Sequence, residues 1–377
     1  MENIVNPEII LWARERLKYG YHNLPKEIRS DRLKDWESGS IQPTYSQLET
    51  LAKHFRLPIA VFFSPSVPDI EEPIAKFRSL PTDEKLKFSP DTYKKLLLAQ
   101  SYQDSIKFLA KDLISEKKIF KDIFFADRNP IKLANEVREY LQAPIESQIK
   151  LRDTEAAFKY WRRKIESVGV FTFKDTLKDR FISGFCLLDE EYPIIFINNT
   201  TAFSRQIFTL IHELGHILYG INGITLVDDS YIDEMNINDR KLEIYCNEFA
   251  GNFLVPVKEF SQDIEYYIKS GPESISKIAN KYSVSREVIL RRLYDNQIID
   301  RIYYETKAKE WIEEYLGRSV KSSGGNYYLT KLAYLGQGYT NLVYENLKRG
   351  RITEIEASEH LQMKARNLDK LQHQLDK

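Results

Sequence analysis

Apolar residues recur along most of this chain at helical spacing, and two stretches break that pattern informatively. The first is Phe208-Thr209-Leu210-Ile211-His212-Glu213-Leu214-Gly215-His216-Ile217-Leu218-Tyr219. Wound at about 100° per residue, it places Ile207, Phe208, Leu210, Ile211, Leu214, Ile217 and Leu218 on one broad side. Thr209, His212, Glu213 and His216 share the narrow remainder. The second, residues 239–254, predicts a helix stopped by Val255-Pro256, with Leu242, Cys246, Phe249, Ala250, Phe253 and Leu254 as its buried stripe. Glu243 falls inside that stripe, and Glu248 points away toward solvent. Residues 220–238, rich in Gly, Asp and Asn, read as a long loop between the two helices.

The pattern elsewhere predicts a largely helical protein with one island of strands. Residues 154–168 form a helix ending at Gly169. Residues 170–173, 184–188 and 193–198 read as strands, with 194–198 as the candidate sheet edge. In the first 65 residues, 7–17 and 44–55 read as helices, the latter capped by Thr44. Residues 24–37 are expected to hold the two helices of a helix-turn-helix, with Pro25 in the first turn of the first. A proline- and acid-rich linker covers 64–73, and two long helices split near 127–130 fill 90–141. Residues 274–282 and 286–296 repeat a helix-turn-helix pattern, its arginines (Arg286, Arg291, Arg292) either touching phosphates or only buttressing the core. After a break at 322–326, two further helices span 330–349 and 353–375.

Composition narrows the classes. Lys+Arg and Asp+Glu balance at 55 each, so no net field draws the protein to nucleic acid or membrane. Residues 1–65 hold nine Lys/Arg against eight Asp/Glu, a weak basis for duplex binding. The two cysteines, Cys186 and Cys246, lie in apolar runs without metal-site spacing and read as core thiols. The N-terminus lacks a signal-peptide pattern and no apolar run approaches a membrane span, so a cytoplasmic location is expected.

The candidate chemistry is metal-dependent. His212 and His216, at i and i+4, stand one above the other at the separation a tetrahedral zinc ion bridges, and Glu213 between them is placed to deprotonate a metal-activated water. Glu243, buried in a stripe, must be neutralised, ion-paired with an Arg or Lys, or bound to a cation. No further His or Cys lies near enough to close a four-ligand structural site, which favours an open catalytic position. Arg205 and Thr209 are candidates for groups that support the ligands. Tyr231 and Tyr219 are candidates for stabilising a tetrahedral oxyanion. Asp228, Asp229, Asp233 and Glu234 in the intervening loop either favour a basic substrate or are simply solvated.

HELGH at 212–216, followed by E-x-x-C-N-E-F-A-G-N-F-L-V-P at 243–256, resembles the ImmA/IrrE family of zinc metallopeptidases. In that family a glutamate four residues before the Asn of an AN-x-FA run completes the zinc site. The resemblance implies His212, His216 and Glu243 as ligands of one Zn²⁺ per chain, with Mn²⁺ as an alternative ion, and Glu213 as general base. Cys246 stands where the family more often has Ala. Asn6-Pro7-Glu8-Ile9, Trp12-Ala13-Arg14-Glu15-Arg16, Trp36-Glu37-Ser38-Gly39 and Pro58-Ile59-Ala60-Val61-Phe62-Phe63 resemble the helix-turn-helix start of two-domain members, and Phe77-Arg78-Ser79-Leu80-Pro81 a family junction.

The fold class expected is mostly α with an α+β zincin-like peptidase core, an N-terminal helix-turn-helix bundle and a C-terminal helical domain. The divisions are 1–65, 66–150, 151–262, 263–316 and 317–377. By resemblance, the function is zinc-dependent endoproteolysis of a protein partner such as a helix-turn-helix repressor, with residues 1–65 binding DNA or docking protein. The competing readings are a DNA-binding transcriptional regulator with a structural metal, and an antitoxin- or defence-type binding module.

Overall fold

The computed structural model describes residues 5–69, 88–111, 118–123, 129–179, 181–226, 232, 235–317 and 325–376. Described residues up to 98 fall in one compact unit and those from 99 onward in a second.

The first unit contains α1 (Pro7–Arg16), α2 (Ser30–Glu37), α3 (Tyr45–Phe55), a 3₁₀ turn at Ile59–Phe63 and the opening residues of α4 (Pro90–Leu109). Local chemistry sets the helix starts. The Asn6 side chain accepts the Glu8 amide ahead of Pro7, and Thr44 and Gln47 form a capping box. Ile9, Ile10, Leu33, Leu51, Phe55 and Phe62 fill the core. Buried Arg14 donates to Glu37 Oε1 at 2.7 Å and to the Tyr19 carbonyl at 2.8 Å. The two helices expected within 24–37 are one. Asn23 accepts the Gly20 amide at 2.7 Å, Pro25 has no N–H to offer, and the chain turns until α2 begins at Ser30. The stretch 77–81 lies outside the described residues.

The second unit continues α4 and adds α5 (Ile119–Asp122), α6 (Pro130–Tyr140), α7 (Ile145–Ile149) and α8 (Thr154–Glu166). Strands β1 (Phe171–Asp175), β2 (Ile182–Leu187) and β3 (Ile194–Asn198) follow, then α9 (Phe203–Tyr219), β4 (Ile224–Leu226) and α10 (Ile237–Leu254). The chain closes with α11 (Val257–Ser270), α12 (Ser274–Tyr282), α13 (Arg286–Asp295), α14 (Arg301–Gly317), α15 (Tyr327–Leu335), α16 (Gln337–Lys348), α17 (Glu354–His360) and α18 (Leu368–Leu375). The protein is mostly helical around a small mixed sheet, an α+β core with helical flanks.

The sheet runs β1-β3-β2-β4. β1 and β3 are parallel, with Phe173 opposite Phe196; β2 is antiparallel to both β3 and β4. The assignment of 194–198 to the edge is therefore wrong. β3 is interior and every one of its residues is buried, which is what an uninterrupted apolar run signals for a strand covered on both faces. The edge is β4, three residues inside the stretch read as loop, too short to show a period. On the opposite edge, β1 packs against α15.

Other expected boundaries shift for local reasons. The helix expected over 330–349 is broken at Gly336, whose φ of +84° leaves the helical region, and the one over 353–375 is broken after Leu361, at Gln362 (φ +48°). α12 and α13 bury Ile278, Tyr282, Val288, Ile289 and Leu293 in the same core as α9 and α10. Arg286 is paired with Glu314 and Arg291 with Asp295, so this helical pair buttresses the core. Among the described residues no helix is long and apolar enough to cross a membrane.

Candidate metal centre

α9 lies on the sheet with its apolar side inward. Gly184 of β2 makes that approach feasible, because a Cβ there would sit 2.7 Å from both Thr209 Cγ2 and the Phe196 carbonyl. Thr209 thus packs its methyl group against Gly184, while its buried Oγ1 has no hydrogen-bond partner among the described residues. Gly220 closes the helix in the left-handed region (φ +81°), placing His216 in its last turn. α10 starts at an Asn236 cap that accepts the amides of Asn238 and Asp239. At its far end, Arg138 of α6 donates to the Phe253 carbonyl at 2.7 Å and Gln148 to the Leu254 carbonyl at 2.9 Å. Both ends of α10 thereby find partners for terminal backbone groups, its own cap at one end and α6 and α7 at the other.

This packing brings His212, His216 and Glu243 together in the interior, at most 1% exposed. The two Nε2 atoms are 3.0 Å apart, and each lies 3.3 Å from one Glu243 oxygen. A tetrahedron built on bonds of ~2.0–2.1 Å has edges of roughly 3.3 Å, so the spacing matches a zinc donor set. Proton chemistry agrees. His212 Nδ1 is 2.9 Å from Asn247 Oδ1; that oxygen accepts only from an N–H, so in the neutral ring the Nε2 lone pair faces the cluster. Two imidazole nitrogens and a carboxylate turned inward on one point suit a shared cation.

Electrostatics point the same way. Burial disfavours the Glu243 carboxylate, but His216 and His212 outweigh burial and hold its pKa at about 2. Burial also disfavours a charged His216, yet Cys246 and Glu243 outweigh it and raise that pKa well above the ordinary histidine value. The cluster therefore favours a positive charge beside the carboxylate, from a proton or a cation.

Glu213, fully buried, turns to the same region. Its Oε1 accepts a hydrogen bond from Thr225 of β4, while Oε2 has no hydrogen-bond partner among the described residues. An orphan carboxylate oxygen in a protein interior calls for a water or an ion. Gly223 keeps the space open: a Cβ there would lie 2.5 Å from the His216 ring and 2.9 Å from Glu213 Oε2. The Gly223 strand segment is pinned to β2, its amide donating to Cys186 Sγ at 3.2 Å and its carbonyl accepting the Cys186 amide at 3.0 Å.

Sequence reasoning missed Asn247, Thr225 and Gly223. Asn247 was discoverable, because it lies one turn after Glu243 on the same helix face. Thr225 and Gly223 sit in an aperiodic segment and carried no signal. Arg205, read as a ligand support, instead donates to Ser183 Oγ at 3.1 Å and to the Leu226 carbonyl, tying α9 to β2 and β4. Tyr219 ends α9 beside Tyr245 and is 39% exposed, whereas Tyr231, Asp228, Asp229, Asp233 and Glu234 lie outside the described residues. Cys246 is buried against the site, and burial raises its thiol pKa.

Residues 165–294, which carry every side chain of this cluster, match the peptidase M78 family model described as the IrrE N-terminal-like domain. Over 117 residues the chain is 30% identical to the radiation response metalloprotease IrrE of Deinococcus radiodurans, covering 30% of this chain and 35% of that protein. The chain thus spans about a third of the length of the curated relative it matches. Residues 165–294 are thus similar to the IrrE N-terminal-like domain of the ImmA/IrrE family.

Proposed function

We propose that the protein is a zinc-dependent endopeptidase whose ion is held by His212, His216 and Glu243 and whose general base is Glu213. The observation that carries this reading is the convergence of two imidazole Nε2 atoms and a carboxylate beside a second buried carboxylate with an unmatched oxygen. When bound, zinc supplies Lewis acidity, polarising a scissile carbonyl and lowering the pKa of a water to about 7. Mn²⁺ would satisfy the same donors. Thr225 fixes one oxygen of Glu213, leaving the other to take a proton from the attacking water and deliver it to the departing amine. Asn247 holds His212 in the tautomer that presents Nε2.

The substrate we infer is a protein, in particular a helix-turn-helix repressor, and the compartment a reducing cytoplasm that suits two free buried thiols. Family resemblance supports the substrate class. A DNA-binding role for α13 is less well supported, since Arg286 and Arg291 are committed to Glu314 and Asp295. The test is co-expression with repressors encoded beside this chain, followed by mass spectrometry of the repressor. Wild type should cut at a defined bond and Glu213→Gln should leave the repressor intact while retaining one metal per chain. Cleavage undiminished by Glu213→Gln rules the mechanism out.

A further inference from the structure

A cleft has Asn247, the partner of His212, in its wall. Its walls include Arg205 and Phe208 of α9, Asn247 and Gly251 of α10, and Arg291 and Arg292 of α13. Glu248, Glu287 and Asp295 also border it. Most of its charges are occupied. Arg205 binds Ser183 and the Leu226 carbonyl, Arg291 pairs with Asp295 at 3.0 Å, and Glu287 accepts the Tyr304 hydroxyl at 3.2 Å.

Arg292 is different. It is only 6% exposed, yet its Nε has no hydrogen-bond partner among the described residues. Its stem passes Gly251, where a Cβ would come 3.5 Å from Arg292 Cδ, and its guanidinium lies 5.4 Å from the centre of the Phe260 ring. A buried guanidinium N–H without an acceptor is costly, although Asp295 and Glu248 lie near enough to favour the charge itself. The planar fork of Arg292 is best matched by a carboxylate.

We propose that Arg292 is a substrate-recognition residue that receives the carboxylate of a Glu or Asp side chain on the polypeptide bound at the metal centre. This rests on the endopeptidase reading and adds a specificity to it. Geometry locates the acidic residue. Gly251, opposite Arg292, is eight residues beyond Glu243 on α10, roughly 12 Å along the helix axis. Extended polypeptide advances about 3.3 Å per residue, so the acidic side chain belongs about three or four residues from the scissile bond.

The test is calorimetric binding to the zinc-loaded Glu213→Gln chain, which turns nothing over. The probes are polyalanine pentapeptides bearing a hydroxamate at the C-terminus in one series and at the N-terminus in the other, with a single Glu stepped along and a Gln twin for each. In one series, Glu at the third or fourth position from the hydroxamate should bind about tenfold tighter than Gln, equivalent to about 1.4 kcal/mol. Adding Arg292→Gln should abolish the difference, and Arg292→Lys should keep part of it. Equal binding of Glu and Gln probes at every position overturns the proposal, as does a preference that survives Arg292→Gln. Because the wild-type side chain is judged on the Glu/Gln comparison alone, a variant that folds poorly does not decide the matter. Failure of the endopeptidase reading shows separately, as a chain that binds the Glu probe through Arg292 but cuts no repressor.

Discussion

The division of labour among the buried groups is sharp enough to predict single substitutions. Glu243 offers both its oxygens to the two imidazoles, so Glu243→Ala should abolish stoichiometric zinc. Asn247 only orients His212, so Asn247→Ala should weaken zinc by about 10–100-fold without abolishing it. Competition with a chromophoric chelator measures both, and equal losses would put Asn247 among the ligands. Gly223→Ala acts by volume, since its Cβ would fall inside the van der Waals radii of His216 and Glu213. It should weaken zinc binding and lower the melting temperature, whereas Gly220→Ala meets no atom within 4 Å and suffers only the strain of its φ of +81°. Zinc affinity unchanged in Gly223→Ala would mean that the loop yields.

At the scale of elements, β1 carries an unusual load. Lys174 is only 4% exposed, and its ammonium lies 4.5 Å from the centre of the Phe158 ring and 4.8 Å from that of Phe203. Burial is the chief cause of its pKa falling to about 7, with Arg162 pushing the same way. An unfolded lysine titrates near 10.4. Between those values the unfolded chain binds more protons than the folded one, so stability rises with pH across about 7 to 10 and the full penalty applies below 7. Lys174→Met should remove that slope and stabilise the fold at pH 6, with a ceiling of about 5 kcal/mol set by the size of the shift. Urea unfolding at pH 6 and pH 9 measures it, and a slope that persists in Lys174→Met assigns the effect to another group.

Across the second unit, α15 and α16 are fastened to α8 and β1 by a buried ion pair. Arg162 and Glu166, one turn apart on α8, are 2.9 Å from each other. Arg162 also donates to the Ala333 carbonyl at 2.6 Å and to the Thr172 carbonyl, while Glu166 accepts the Gly338 amide at 3.2 Å. One pair thereby joins α8, β1, α15 and α16. Gly336 lets the backbone pass, since a Cβ there would be 2.4 Å from an Arg162 nitrogen, and φ is +84°. Gly336→Ala should therefore cost about 2–4 kcal/mol through backbone strain and a displaced ion pair. It should also open α15 and α16 to protease, and limited proteolysis resembling wild type would show that the clamp is dispensable.

The helix that bears the histidines, the helix that bears Glu243, and the sharing of a face by His212, Glu213 and His216 were all legible in the chain. Each depends on a repeat of 3.6 residues and on caps and breakers a few positions away. The strand order, the edge role of β4, the part taken by Thr225 and Gly223, and the meeting of Arg292 with Gly251 were not legible. Those depend on contacts between segments dozens of residues apart, and a three-residue strand or a lone glycine has no period to reveal it. Local pattern determined which side chains could act, whereas packing of α9 and α10 against each other and the sheet decided where those side chains meet.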